Sequence, residues 1–205
     1  MNNILKHKKY IENIFEDSIR VKKEILNNSS IDRIVQMAED CSKSLMSGKK
    51  ILFCGNGGSA GDAQHLAAEL LIRLRPGFNR KGLRSLSLLQ DTSTITACGN
   101  DYGFDHVFER QLETLGDEND VLIAISTSGN SKNIINVLKM AKLMNINAFA
   151  FLGGSGGEAL NLCDNYFIVP SEITGRIQEA HITAGHAMME CIENILFEKK
   201  FVSIR

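Results

Sequence analysis

The stretch Ser126-Thr127-Ser128-Gly129-Asn130-Ser131 gathers four hydroxyl side chains around one glycine. An apolar run, Val121–Ile125, precedes it, and a helical pattern from Asn133 to Met144 follows. A strand, a hydroxyl-rich turn and then a helix aim backbone N–H groups and hydroxyls at one spot, and the helix dipole adds partial positive charge there. A phosphate suits that spot. The lysine of a G-x-x-x-x-G-K-[ST] loop is missing, so the natural ligand is a phosphorylated small molecule and not a nucleoside triphosphate.

A second group can move protons or hold a metal. His65 and Glu69 are four residues apart and share one helix face. Such a pair can ligate one ion or act as an acid/base couple. An isolated H-x-x-x-E is as often a surface ion pair. Here His65 sits amid Ala63, Leu66, Ala67, Ala68 and Leu70, where a surface helix would carry more charge. The last helical stretch bears Gln178, Glu179, His181 and His186. His186 lies among Ala184, Gly185, Ala187, Met188 and Met189. A lone histidine in that setting is usually a hydrogen-bonded core residue; a second histidine for a site already suspected changes the balance. Gln178 and His186 are eight residues apart, a rise of about 12 Å on a regular helix. One ion is hardly reached by both from one copy of that helix. Either different subunits supply them, or the helix begins later than the pattern suggests. His181 points elsewhere and reads as structural.

Two loops complete the chemical inventory. Gly55-Asn56-Gly57-Gly58-Ser59 follows the first apolar run, and its glycines permit positive φ and close approach to a ligand. It is not G-x-G-x-x-G, so no nucleotide cofactor is expected. Asn100-Asp101 falls in a polar break between helical stretches, where it forms either a plain turn or a contact to sugar hydroxyls. No Ser/His/Asp ordering fits a hydrolase elbow. A phosphate cradle with a carboxylate and a histidine, but no nucleophile, points to proton transfer on a sugar phosphate.

The elements that must position these residues alternate. Apolar runs at Ile51–Cys54, Leu83–Leu88, Val121–Ile125, Ala148–Leu152 and Tyr166–Val169 show no polar alternation, as in a parallel sheet buried on both faces. Helical patterns at Ser59 to about Leu74, Asn133–Met144 and about 176–198 separate them. The expectation is an α/β fold, a three-layer αβα sandwich with a doubly wound parallel sheet of about five strands. Ligands then bind beyond the carboxyl ends of the strands. Two amphipathic helices, about 4–26 and Ile31–Met46 with Ser29 or Ser30 as its cap, precede the sheet. They are more than one sheet needs, and their surplus apolar surface suits another subunit.

The 205 residues suffice for one domain with a substantial core. A formal net charge of −1 disfavours nucleic acid or a membrane surface as partner. No apolar run is long enough to span a bilayer, and the polar N-terminus lacks a signal-peptide core. Cys41, Cys54, Cys98, Cys163 and Cys191 form no C-x-x-C pair and read as buried thiols of a cytoplasmic protein. Arg73, Arg75, Arg80, Lys81 and Arg84 read as a solvated loop from which one arginine could reach an anionic ligand.

Five segments together carry a resemblance: C-G-N-G-G-S-A at 54–60, H-L-A-A-E-L at 65–70, G-N-D-Y-G at 99–103, I-S-T-S-G-N-S at 125–131 and R-I-Q-E-x-H at 176–181. On these the chain resembles, over nearly its whole length, the sugar-isomerase (SIS) domain family, and within it the bacterial phosphoheptose isomerases, which act on sedoheptulose 7-phosphate. The resemblance implies one SIS domain over 1–205, with 1–47 packing subunits together and 48–205 binding the sugar phosphate. It implies that Asn56, Gly57 and Gly58 line the site, that Ser126, Thr127, Ser128 and Ser131 hold the phosphate, and that Asn100, Asp101 and Gln178 contact substrate. It implies Glu69, also a substrate contact, as general base and His186 as its acid partner. It implies one zinc per subunit on His65, Glu69, Gln178 and His186. It also implies a homotetramer with active sites at subunit contacts, which accounts for Gln178 and His186 being so far apart. The family commonly has an acidic residue where Gly175 stands. A related non-catalytic subgroup that associates with the replication initiator lacks the carboxylate and the late histidine. A sensor or isomerase for another sugar phosphate is the remaining alternative, and no DNA-binding or glutaminase segment is read here in its favour.

Overall fold

The computed structural model describes residues 2–203. Helices α1 (Asn2–Leu26) and α2 (Ser30–Met46) lead into β1 (Ile51–Gly55), α3 (Gly58–Leu71), β2 (Ser85–Ser87) and α4 (Thr92–Asp101). Then come α5 (Val107–Leu115), β3 (Val121–Ser126), α6 (Lys132–Leu143), β4 (Asn147–Gly153), β5 (Asn165–Val169) and α7 (Thr174–Glu198). All five strands pair in parallel, in the order β2-β1-β3-β4-β5. From β1 the chain adds β2 on one side and β3 on the other, so the strand order reverses at the β1/β3 boundary. A crevice beyond the carboxyl ends opens at such a switch point.

Successive side chains of a strand face opposite sides of the sheet, and here both sides are covered. Ile51, Phe53, Val121, Ile123, Phe149 and Phe151 pack with α2, α3 and α7. Leu52, Cys54, Leu122, Ala124, Ala148 and Ala150 pack with α5 and α6. The result is the expected three-layer αβα sandwich. No helix among the described residues is long and apolar enough to cross a membrane.

Several boundaries differ from the sequence pattern. The apolar run 83–88 yields a ladder only at Ser85–Ser87, because the Leu83 N–H donates to Leu70 O at the end of α3. Helix α3 stops at Leu71 and α7 starts at Thr174, earlier than expected. Asn100 and Asp101 do not lie in a loop: they form the last turn of α4, which Asp91 caps by accepting from the N–H groups of Ser93 and Thr94. Ser29 is the residue before α2 but makes no side-chain cap; Asn28 Oδ1 instead accepts from Ser30 N.

Candidate active site

The hydroxyl-rich turn leaves β3 and enters α6, as its sequence requires. Gly129 has φ +64°, and a Cβ there would collide with the carbonyl of Gly156, so only glycine fits. Its N–H donates to Ser126 Oγ (3.1 Å), and Asn130 N–H donates to Ser128 Oγ (3.2 Å). Asn130 Oδ1 accepts from Glu158 N–H (3.0 Å), and Gly129 O accepts from Ala159 N–H (2.9 Å). The loop after β4 thereby braces the turn. Ser131 stands immediately before α6 with no side-chain cap bond, which leaves its hydroxyl and the helix N-terminus to an anion.

Asn56, Gly57 and Gly58 emerge from β1 beside this turn. Gly57 takes φ +56°. Asn56 and Asn133 exchange a reciprocal amide pair, at 2.9 and 3.0 Å, which ties the glycine loop to the first turn of α6. Asn133 is buried, and its partner lies 77 residues away in sequence. The Gln178 amide packs directly against Gly58, where a Cβ would strike it.

Helices α3 and α7 run parallel, since Gly58 meets Gln178 and Leu66 meets Gly185. One face of each therefore carries chemistry at the same height. His65 Nε2 lies 2.7 Å from His186 Nε2 and 3.4 Å from Glu69 Oε1. Two imidazole nitrogens and a carboxylate oxygen thus lie within 4.8 Å of one another. Two ε2 nitrogens in this contact need something positive between them: a proton on one ring, or a cation shared by both. The donor set fits a divalent ion that takes nitrogen and oxygen ligands. The Glu69 side chain is 16% exposed and His65 46%, so this cluster opens to one side of the chain.

Gln178 stands two turns before His186 on α7, at the level of Gly58 and not of this trio. Because α7 begins at Thr174, a late helix start does not explain the Gln178–His186 separation. Asn100 and Asp101 are exposed and hydrogen-bonded to each other (2.7 Å). Asp101 lines a cavity of about 630 Å³ beside the β2 edge, with Leu86, Ser87 and Arg110.

Other residues at the site were not legible as functional. Asp62, one turn before His65, is a half-buried carboxylate with Oδ2 buried and unpartnered. Burial pushes its carboxyl pKa up, while His65 and His186 pull it down. Its spacing from His65 was the available signal. Arg75 and Arg80 do not belong to a solvated loop. Both bind Glu193 of α7, at 2.8 and 2.7 Å, and Arg80 is only 6% exposed. Cys41, Cys54 and Cys98 are buried, and Cys163 and Cys191 are partly so. Burial pushes the Cys163 thiol up to about 11 and those of Cys41 and Cys54 higher still, which makes them poor nucleophiles.

Comparison with known proteins gives concordant matches. A family model described as SIS domain matches residues 14–153. A phosphoheptose isomerase of Aneurinibacillus thermoaerophilus is 47% identical over 197 residues, covering 96% of this chain and 98% of that protein. One from Clostridium acetobutylicum is 47% identical over 194 residues, covering 94% and 98%. The solved structure of phosphoheptose isomerase GmhA from Neisseria gonorrhoeae superposes with a TM-score of 0.85 at 43% identity, covering 91% of this chain and 98% of that one.

Proposed function

The chain belongs to the SIS domain family and, within it, to the phosphoheptose isomerases, and on that premise we propose that it converts D-sedoheptulose 7-phosphate to D-glycero-D-manno-heptose 7-phosphate. The observation that carries this reading is the convergence of Glu69, His65 and His186 in a chain that also bears a braced phosphate loop. The conversion is the entry step to activated heptoses for lipopolysaccharide or capsule, and it belongs in the cytoplasm.

Aldose–ketose isomerisation moves one proton between C1 and C2. Glu69 takes the proton from C1 of the open-chain ketose while His186 gives one to the carbonyl oxygen at C2, and an enediol results. Glu69 then returns its proton to C2, His186 recovers the proton of the C1 hydroxyl, and C1 becomes the aldehyde carbonyl. Acid/base help of this kind contributes about 10²–10⁴-fold. Ser126, Thr127, Ser128 and Ser131 hold the phosphate with the α6 N-terminus. Asn56, Gly57 and Gly58 line the sugar, with Asn100, Asp101 and Gln178 as further contacts. The phosphate grip supplies orientation and not chemistry. Zinc on His65, Glu69 and His186, with a neighbour's Gln178 as fourth ligand, would polarise the sugar carbonyl in place of a proton from His186 and would make Glu69 the weaker base.

Helix geometry supports a site shared between subunits. Glu69 lies eleven residues beyond Gly58 on α3, about 16 Å along the axis. An extended seven-carbon sugar phosphate spans about 10 Å from C1 to phosphorus at standard bond lengths. Along α3, the Gly58 backbone and the Glu69 backbone of one chain are thus farther apart than such a substrate is long. A homotetramer in which one chain presents the loop and its neighbour presents Glu69 and His186 resolves this. The same assembly brings a neighbour's Gln178 to the trio.

The test is steady-state kinetics on sedoheptulose 7-phosphate. Glu69→Gln and His186→Ala should each lower kcat by about 10²–10⁴-fold while the variants stay folded. Rates near that of the unsubstituted protein would refute the assigned roles.

A further inference from the structure

Arg80 is the most buried arginine among the described residues, and every group it binds belongs to the two helices of the acid/base cluster or to its own loop. Its Nε donates to Glu193 Oε1 (2.7 Å). One terminal nitrogen donates to Leu70 O (2.9 Å) and Lys81 O (3.1 Å), and the other to Glu69 O (2.9 Å). Four of its five N–H groups are thus used. The Glu69 and Leu70 carbonyls belong to the last turn of α3, where a helix leaves acceptors unpaired and favours a cation. Glu193 is only 1% exposed and lies two turns past His186 on α7. Its second oxygen accepts from Arg75 Nε (2.8 Å), and Arg75 in turn donates to Asn194 (2.8 Å) and stacks on Phe78.

We propose that Arg80 and Glu193 are positioning residues that set the distance and angle between Glu69 and His186. The guanidinium grips the main chain of Glu69 itself, and its counter-ion is built into the helix of His186. No other side-chain hydrogen bond among the described residues joins the last turn of α3 to α7 through a buried charge. A buried ion pair is weak as a source of stability, because desolvation offsets most of its attraction. Its use here is geometric. A planar fork holds two directions at once, toward the α3 carbonyls and toward α7, and a lysine ammonium cannot match both.

The inference rests on the proposed roles of Glu69 and His186, and the experiment separates the two. Arg80→Lys, Glu193→Gln and Glu69→Gln are purified as full chains and assayed on sedoheptulose 7-phosphate, with melting temperature and near-UV circular dichroism recorded. Glu193→Gln keeps the side-chain shape but turns an amide N–H toward one arginine, so one of its two bonds is lost. In folded Arg80→Lys and Glu193→Gln, kcat should fall by about 10–100-fold, the scale of a misplacement near 1 Å. KM should stay within about twofold, because the phosphate loop is untouched. Unchanged kcat in either folded variant would overturn the inference, as would activity lost only in proportion to the unfolded fraction. Glu69→Gln reports on the underlying reading alone: full activity there removes the premise, and inactivity with active Arg80→Lys removes only the inference.

Discussion

His181 and His186 stand on the same helix, five residues apart, in opposite environments. His186 meets His65 at the open cluster, whereas His181 is sealed between Phe151 and Phe167. His181 Nε2 donates to Leu152 O (2.9 Å), and Nδ1 is buried without a partner. Burial pushes its pKa down to about 4. An imidazole whose folded pKa lies below its unfolded value, near 6.5, stabilises the fold fully above pH 6.5. That contribution is lost as pH falls from 6.5 through 4, by roughly 3 kcal/mol in all. Denaturant melts at pH 7, 5.5 and 4 should show this slope, and His181→Gln, which keeps an N–H for Leu152, should flatten it; equal slopes would contradict it. His65, Glu69 and His186 were legible in the sequence because their types are rare on apolar helix faces and their spacing is regular. Asn133, Arg80 and Glu193 were not, since ordinary polar residues gain their roles only from partners 77 to 113 residues away.

At the scale of elements, two glycines mark where backbone meets backbone and where it meets a movable side chain. Gly129→Ala puts a Cβ at positive φ into the carbonyl of Gly156, and neither chain can yield. A loss of at least about 1–2 kcal/mol and a raised KM for the sugar phosphate are expected. Gly58→Ala meets only the flexible end of Gln178. Stability should change by under about 1 kcal/mol, while kcat falls as Gln178 is pushed aside. Equal effects of the two substitutions on melting temperature would contradict the assignment. The same contrast explains what the pattern of elements revealed. The strands of the sheet centre were plain from their unbroken apolar runs, because both faces are buried. Helix α4 was hidden, since Thr92-Ser93-Thr94 and Gly99 are poor helix formers. Its start depends on the Asp91 cap, and its end carries Asn100 and Asp101.

Viewed whole, the chain leaves much apolar surface uncovered at its N-terminal end. Ile4, Leu5, Ile11, Phe15 and Ile19 of α1 are more than half exposed, a patch of the kind that marks protein–protein contact. A homotetramer should appear by light scattering, and Phe15→Asp with Ile19→Asp should shift it to smaller species with loss of activity; a monomer that turns over substrate would contradict the shared site. Complementation tests the sharing itself. Glu69→Gln and Ser128→Asp chains, each inactive alone, should regain activity when co-assembled, because an intact loop then faces an intact acid/base pair; a single-chain site predicts none. The central claim concerns the reaction, and the most direct measurement is proton NMR of the purified protein with sedoheptulose 7-phosphate in D2O. The account predicts an aldoheptose 7-phosphate whose C2 bears either the proton carried over from C1 or deuterium that the Glu69 carboxyl has exchanged from solvent, formed about 10²–10⁴-fold more slowly by Glu69→Gln. Absence of the aldose phosphate with the unsubstituted protein, with or without added zinc, would contradict it.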